Sequence, residues 1–200
     1  MLVIVGGLAL LGVRVWAAAV ARQRPPKPGT LVRGANALAL LALVPHLLLP
    51  AVLVLHPPTF LAVPIAHTQL SQPLASVALV GGAAVGALGL LVMAWAHRTL
   101  GQFFSLSVQL KEDHRLITTG PYAHVRNPIY TGAILLLGGS AVMLSSPLLL
   151  LAHLPMSAGL LRMGAAEEEL LARSFGEEYR RWHQRTGALL PRLRTPIPPA

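Results

Sequence analysis

Cysteine is absent from the 200 residues. Its absence excludes disulfides, thiolate metal sites and cysteine nucleophiles in one step. Charge is scarce as well: Asp, Glu, Lys and Arg make up 12% of the chain, against roughly 25% in soluble domains. An ordinary globular domain is excluded on that ground. Aromatic residues are few, and the basic residues are not interleaved with them as single-strand nucleic-acid binders require. No nucleic-acid partner is expected. The histidines at 46, 56, 67, 97, 114, 124, 153 and 183 show no metal-ligand spacing such as HExxH, so no metal site is expected.

What is abundant is apolar: 54% of the residues are hydrophobic. Apolar runs near 20 residues point to membrane spans. Five can be read: Leu2 to Ala21, Ala35 to Leu55, Leu74 to Ala96, Pro128 to Leu144 and Pro147 to Met163. The last two are separated only by Ser145 and Ser146 and form a tight helical hairpin. Pro45 and Pro50 are kinks in the second span. Gly82 and Gly86 stand in small-xxx-small spacing, which lets helices approach closely and could alternatively leave room for a lipid tail. Ala19-Val20-Ala21 resembles a signal cleavage site, but no basic segment precedes it, so an uncleaved span is expected.

Orientation follows from the basic residues. The first loop carries Arg22, Arg24, Lys27 and Arg33, the third Arg98, Lys111, Arg115 and Arg126, and the tail Arg162, Arg173, Arg180, Arg181, Arg185, Arg192 and Arg194. The second loop and the hairpin turn carry none. The amino terminus is therefore expected outside, with the first and third loops and the tail cytoplasmic. All acidic residues fall on that same side. The net charge of +9 then meets anionic lipid heads. The chain reads as an all-α polytopic membrane protein with about five transmembrane helices, a short cytoplasmic hairpin segment and a C-terminal amphipathic helix. A three-span region, 1–96, and a core, 97–200, are expected to form one integrated domain.

The polar residues gather in two blocks. The first runs from His114 to Gly132. Phe103 to Leu110 and Arg115 to Thr118 can pair as a short hairpin. Gly120-Pro121 then breaks regular structure. Asn127-Pro128 is a helix start, with Asn as cap and Pro in the first turn. Arg126 sits beside that helix end, whose free N–H groups make a ready anion site. Snorkelling to a lipid phosphate is the alternative role. The second block holds Glu167 and Glu168. Glu168, Leu171, Phe175, Tyr179 and Trp182 recur at steps of three or four and form one helical stripe. A carboxylate on an apolar stripe needs a partner. That makes Glu168 either a site residue or the ion-pair partner of Arg162 or Arg126.

These residues resemble a known family. Leu100-Gly101, His114-Arg115-Leu116, Gly120-Pro121-Tyr122 and Arg126-Asn127-Pro128-Ile129-Tyr130 look like the core of the isoprenylcysteine carboxyl methyltransferases and the related phospholipid methyltransferases. Glu167-Glu168, Leu171, Phe175-Gly176, Tyr179, Trp182 and Leu190-Pro191 are similar to the same family's second motif. The resemblance covers roughly residues 95 to 192. It implies S-adenosylmethionine as cofactor and a lipophilic acceptor drawn from the bilayer. By the same resemblance His114, Leu116, Gly120 and Tyr122 line an adenosine pocket. Arg126, with Asn127 and Pro128 at the helix start, holds the cofactor carboxylate. Glu167 and Glu168 complement its positive charge, and Tyr130 and the third-span glycines face the acceptor. Arg126 and Glu168 are the expected catalytic residues. The family usually has His where Asn127 stands. Asn keeps a hydrogen-bonding side chain but does not titrate, so a proton-accepting role does not carry over. Trp182 replaces the commoner Tyr. Three other readings remain open at this level: a phospholipid N-methyltransferase, a nicotinamide-dependent membrane reductase of the sterol-reductase-like type, and a membrane scaffold without activity. The Glu167-Glu168 pair and the Phe175-Gly176 tail favour methyl transfer.

Overall fold

The computed structural model describes residues 67–101 and 115–192, with several positions between 44 and 58. The first expected span, most of the second, and the expected strand Phe103 to Leu110 lie outside the described residues. Among those described, the chain is helical. Its one β-type pairing is a parallel bridge between Val125 and Gly187. Arg115 to Thr118 has no regular structure.

Among the described residues three long helices carry the fold. Helix α1 spans Leu74–Leu100, α2 spans Pro128–Met143, and α3 spans Pro147–Arg185. Helix α1 is uncharged until Arg98 and stops where Gly101 takes a positive φ of 52°, a conformation cheap only for glycine. A single 3-10 turn, Gly120–Ala123, precedes α2. Ser146 starts α3: its hydroxyl accepts from the Leu149 N–H at 3.3 Å, and Pro147 occupies the first turn.

Helices α1 and α2 pack antiparallel along a glycine seam. A Cβ built on Gly89 would lie 2.5 Å from both the Gly132 carbonyl oxygen and the Leu136 nitrogen. One on Gly139 would lie 2.5 Å from the Gly86 nitrogen and 2.6 Å from the Gly82 oxygen. The two backbones therefore touch directly. Such close approach gives dispersion contact where lipid leaves no hydrophobic driving force. It also corrects one expectation: Gly82, Gly86 and Gly89 face the backbone of α2, not an acceptor tunnel. The neighbouring Gly81 points away from this seam.

The helix ends sort into two faces. At one, the Ser145-Ser146 turn receives the Thr68 N–H on the Ser145 carbonyl at 2.8 Å, and His67 Nδ1 donates to the Leu144 carbonyl at 2.9 Å. The second loop and the hairpin turn thus share an end. Leu53, Ala141, Leu144 and Leu149 form a small core there. At the other face Ala96, Tyr122, Tyr179 and Trp182 form a second core, with Leu171 and Phe175 packed against it. Between the two, apolar side chains point outward: Val77, Val80, Leu88 and Leu91 on α1, Leu150, Leu151 and Leu154 on α3. Water would not tolerate so continuous an apolar surface, whereas a bilayer solvates it. Helices α1 and α3 are long and apolar enough to cross a membrane; α2 is apolar but shorter.

At 1.5 Å per residue, a straight helix of the length of α3 runs to about 58 Å, twice a roughly 30 Å hydrocarbon core. Its second half must leave the apolar layer. Gly176, with φ 51° and ψ −116°, breaks it within that half. The break turns Tyr179 and Trp182 onto the second core.

Candidate active site

The third loop is pinned to α1 before it reaches α2. Gly120 adopts φ 57°, and a Cβ there would meet Thr99 Oγ1 at 2.7 Å. Trp182 Nε1 donates to the Tyr122 carbonyl at 2.8 Å, which ties the 3-10 turn to the last turns of α3. Arg126 and Asn127 then enter α2 beside Glu167 and Glu168 on α3.

Charge converges at this junction. Arg126 Nε donates to Glu168 Oε1 at 2.9 Å, and Asn127 Nδ2 donates to the same oxygen at 3.0 Å. Arg126 Nη1 donates to the carbonyls of Thr186 at 2.5 Å and His183 at 3.3 Å. The side chains of Arg126 and Glu168 are only 8% and 21% exposed, so this is a sheltered ion pair, not a solvated one. One turn away, Tyr130 Oη donates to Glu167 Oε1 at 2.6 Å. Glu168 takes the charged partner, Arg126, whereas Glu167 is bonded by the neutral Tyr130.

Burial pushes the Glu167 carboxyl up to about 7; the Tyr130 hydroxyl opposes the shift and the Glu168 charge adds to it. Tyr179 is pushed up to about 12 by burial and then by the Glu168 charge. Burial, followed by the Arg126 guanidinium, pulls His183 down. His183 Nε2 lies 3.6 Å from Glu168 Oε2, and a neutral imidazole makes that a weak contact.

A pocket of about 150 Å³ opens beside the ion pair, lined by Asn127, Tyr130, Leu160, Leu161, Gly164, Ala165, Glu168, Ala188 and Leu189. Of the expected site residues, Asn127, Tyr130 and Glu168 reach it. Arg126 and Glu167 stand directly behind these. Leu116 and Tyr122 pack in the second core, and Pro128 is fully buried at the start of α2. His114 lies outside the described residues.

One local expectation needs correction. Asn127 makes no side-chain capping bond to α2; its amide donates to Glu168 and to the Ala188 carbonyl at 3.4 Å. A carboxylate is the stronger acceptor on offer, so the amide group turns toward it. Residues 186–189 and Thr131 had no expected role and prove to frame the site. Their sequence carries no charge or motif that would have marked them.

A model of the phospholipid methyltransferase family matches residues 77–178, just over half of the chain. No curated protein matches. Among solved structures, a eukaryotic intramembrane Ras methyltransferase, isoprenylcysteine carboxyl methyltransferase, is similar at 23% identity, with a TM-score of 0.49 over 80% of this chain and 66% of that one. The chain thus spans just under two thirds of that protein. The family match takes in α2, most of α1 and the Glu167-Glu168 turn of α3. This chain belongs to the phospholipid methyltransferase family, a family of membrane methyltransferases.

Proposed function

We propose that this chain is an S-adenosylmethionine-dependent methyltransferase acting on a small lipophilic acceptor from the bilayer. The observation that carries the reading is the junction of one guanidinium and two differently partnered carboxylates at the rim of an apolar pocket. Family membership favours methyl transfer over the reductase reading.

The donor set fits the cofactor's charges. Glu167 and Glu168 complement a sulfonium and an ammonium; Arg126 and the amino-terminal end of α2 suit a carboxylate. In volume the fit is partial, because 150 Å³ is about half the lower limit of a typical ligand pocket, roughly 300 Å³. The pocket beside Glu168 takes the charged end of the cofactor or the head of the acceptor. His114, Leu116, Gly120 and Tyr122 are the proposed adenosine-side residues.

When bound, S-adenosylmethionine supplies an electrophilic methyl group. Asn127 and Arg126 hold Glu168 in place, and Tyr130 holds Glu167. Leu160, Leu161 and Leu189 exclude water and receive an apolar acceptor. Dry walls and fixed placement favour an in-line displacement that disperses charge. An anionic acceptor needs no base. An amine acceptor must lose a proton, and a carboxyl titrating near neutrality is suited to take it. Glu167 is that group here, which favours an amine acceptor as the second reading.

The proposed topology has five spans, the amino terminus outside and the site on the cytoplasmic face. Alternation of basic residues supports it, as does the shared end of the second loop and the hairpin turn. Regions 1–96 and 97–200 are proposed to form one domain, because the α1–α2 seam crosses their boundary. The test is direct. Membranes containing the protein are incubated with methyl-labelled S-adenosylmethionine, and the labelled product is identified. A labelled lipid-soluble product is expected. Binding of NADPH in place of S-adenosylmethionine by the purified protein would overturn the reading.

A further inference from the structure

Beyond α3 the chain turns back and lies along the start of α2. Every carbonyl from residue 186 to 189 is taken by a donor of the 126–131 segment. Thr186 receives Arg126 Nη1 at 2.5 Å, Gly187 the Arg126 N–H at 2.8 Å, Ala188 the Asn127 N–H at 3.0 Å, and Leu189 the Thr131 hydroxyl at 2.8 Å. In return the Gly187 N–H donates to the His124 carbonyl at 3.2 Å. Gly187 is obligatory in this path, since a Cβ there would run into the Leu190 carbonyl. Ala188 and Leu189, at the centre of the stretch, are pocket wall.

We infer that residues 186–189 are a strap closing one side of the active-site pocket, and that Thr131 is a positioning residue that holds it. The assignment rests on the methyltransferase reading above for what the pocket binds, but not for the strap itself. Thr131 does not itself line the pocket. It acts through Leu189, which, like Thr186, is held by a side chain and by no main-chain N–H of the 126–127 segment. Arg126 makes the strap answer to the ion pair, because the same guanidinium grips Glu168 by Nε and the strap by Nη1. A site whose wall and charge share one anchor is disturbed in both when either is disturbed.

The absence of cysteine gives a clean probe. Leu190, 74% exposed, is replaced by Cys and labelled with a nitroxide. The label reports strap mobility without catalysis, and S-adenosylmethionine affinity of the same full-length protein reports the pocket. Thr131→Val keeps the shape and removes the donor; Thr131→Ser restores the donor. Losing one hydrogen bond of ordinary strength corresponds to about a 3- to 10-fold change in an equilibrium. The expected result is faster label motion and S-adenosylmethionine affinity weakened about 3- to 10-fold in Thr131→Val, with both recovered in Thr131→Ser. Unchanged label motion in Thr131→Val overturns the role of Thr131. Faster motion with unchanged affinity overturns the strap as pocket wall. No S-adenosylmethionine binding by the parent protein would instead sink the methyltransferase reading, and the label would still decide the strap.

Discussion

The α1–α2 seam and the Arg126 junction both fasten α2, the first to α1 and the second to α3, by opposite means. Along the seam, contact comes from side chains that are missing: glycines at 82, 86, 89, 132 and 139 bring main chain against main chain. At the junction, contact comes from side chains that reach: Arg126 alone bonds one carboxylate and two carbonyls. The difference follows from the surroundings. In lipid an unpaired polar group is costly and apolar attraction between helices is weak, so surface fit must serve. At the rim, where water ends, a sheltered ion pair is strong enough to set geometry and still leave a charge for a ligand. Rigidity is thus kept in the span and the charged groups at its end.

The largest effect is expected where charge is removed. Arg126→Ala leaves Glu168 sheltered with only Asn127 as a strong donor. Breaking a buried pair on one side costs about 3–5 kcal/mol. Unfolding midpoints in detergent should fall sharply, and S-adenosylmethionine binding should vanish. Pairing Arg126→Met with Glu168→Leu removes both charges. That double variant should regain most of the stability and remain unable to bind. A double variant as unstable as the single one would show that shape, not charge, governs the junction, and the contrast with the seam would fail.

The seam comes next. Gly89→Ala sets a methyl group against the Gly132 carbonyl and the Leu136 nitrogen, both main chain, neither able to swing aside. Overpacking of this kind costs about 1–3 kcal/mol. The loss should appear as a lower unfolding midpoint with S-adenosylmethionine affinity unchanged in the folded fraction. Weakened affinity at unchanged stability would mean that the seam senses the site.

The two regions differ in how plainly they could be read from the residues. The seam was half legible: Gly82 and Gly86 announced close packing, since spacing alone marks a helix face. Which surface they met was not, because a glycine pattern carries no partner. At the junction the charged groups were legible, for a chain with so few acids must use them. Arg126 was one of two basic partners named for Glu168, and the structure selects it over Arg162. The amide of Asn127 was misread as a cap because local preference knows nothing of a carboxylate arriving from 41 residues away. The strap was invisible for the same reason. Its bonds are made by main-chain carbonyls, which every residue carries. The stripe from Leu171 to Trp182 was read as one continuous helix face, and its buried members agree; only the break at Gly176 needed the structure.

A subtler effect is expected at Glu167. Glu167 has its carboxyl raised from the ordinary 4.5 to about 7 by burial. A raised pKa means that the folded protein holds a proton the unfolded chain releases. Its contribution to stability is therefore complete below about pH 4.5 and lost as the pH rises through 7. Binding runs the other way, because a cationic ligand prefers the ionised carboxylate. Unfolding midpoints of the ligand-free protein should decline from pH 5 to pH 8, while S-adenosylmethionine affinity rises across the same range. Glu167→Gln should flatten both profiles. A wild-type affinity independent of pH between 6 and 8 would mean that Glu167 does not face the cofactor's positive charge.

The smallest effect is expected one residue from the seam. Gly81 precedes Gly82 in α1, yet a Cβ there meets nothing within 4 Å among the described residues. Alanine frees a helix interior from the entropy cost of glycine, a gain of roughly 0.5–1 kcal/mol. Gly81→Ala should leave the unfolding midpoint unchanged or slightly raised, in contrast to Gly89→Ala on the same helix. The pair isolates direction from composition: same residue type, same substitution, same helix, different face. A clear loss of stability in Gly81→Ala would reveal a second close-packed surface on α1, covered by a part of the chain beyond α2. The helix would then be a central element wedged between two neighbours, and the outward apolar face drawn here for lipid would belong to protein.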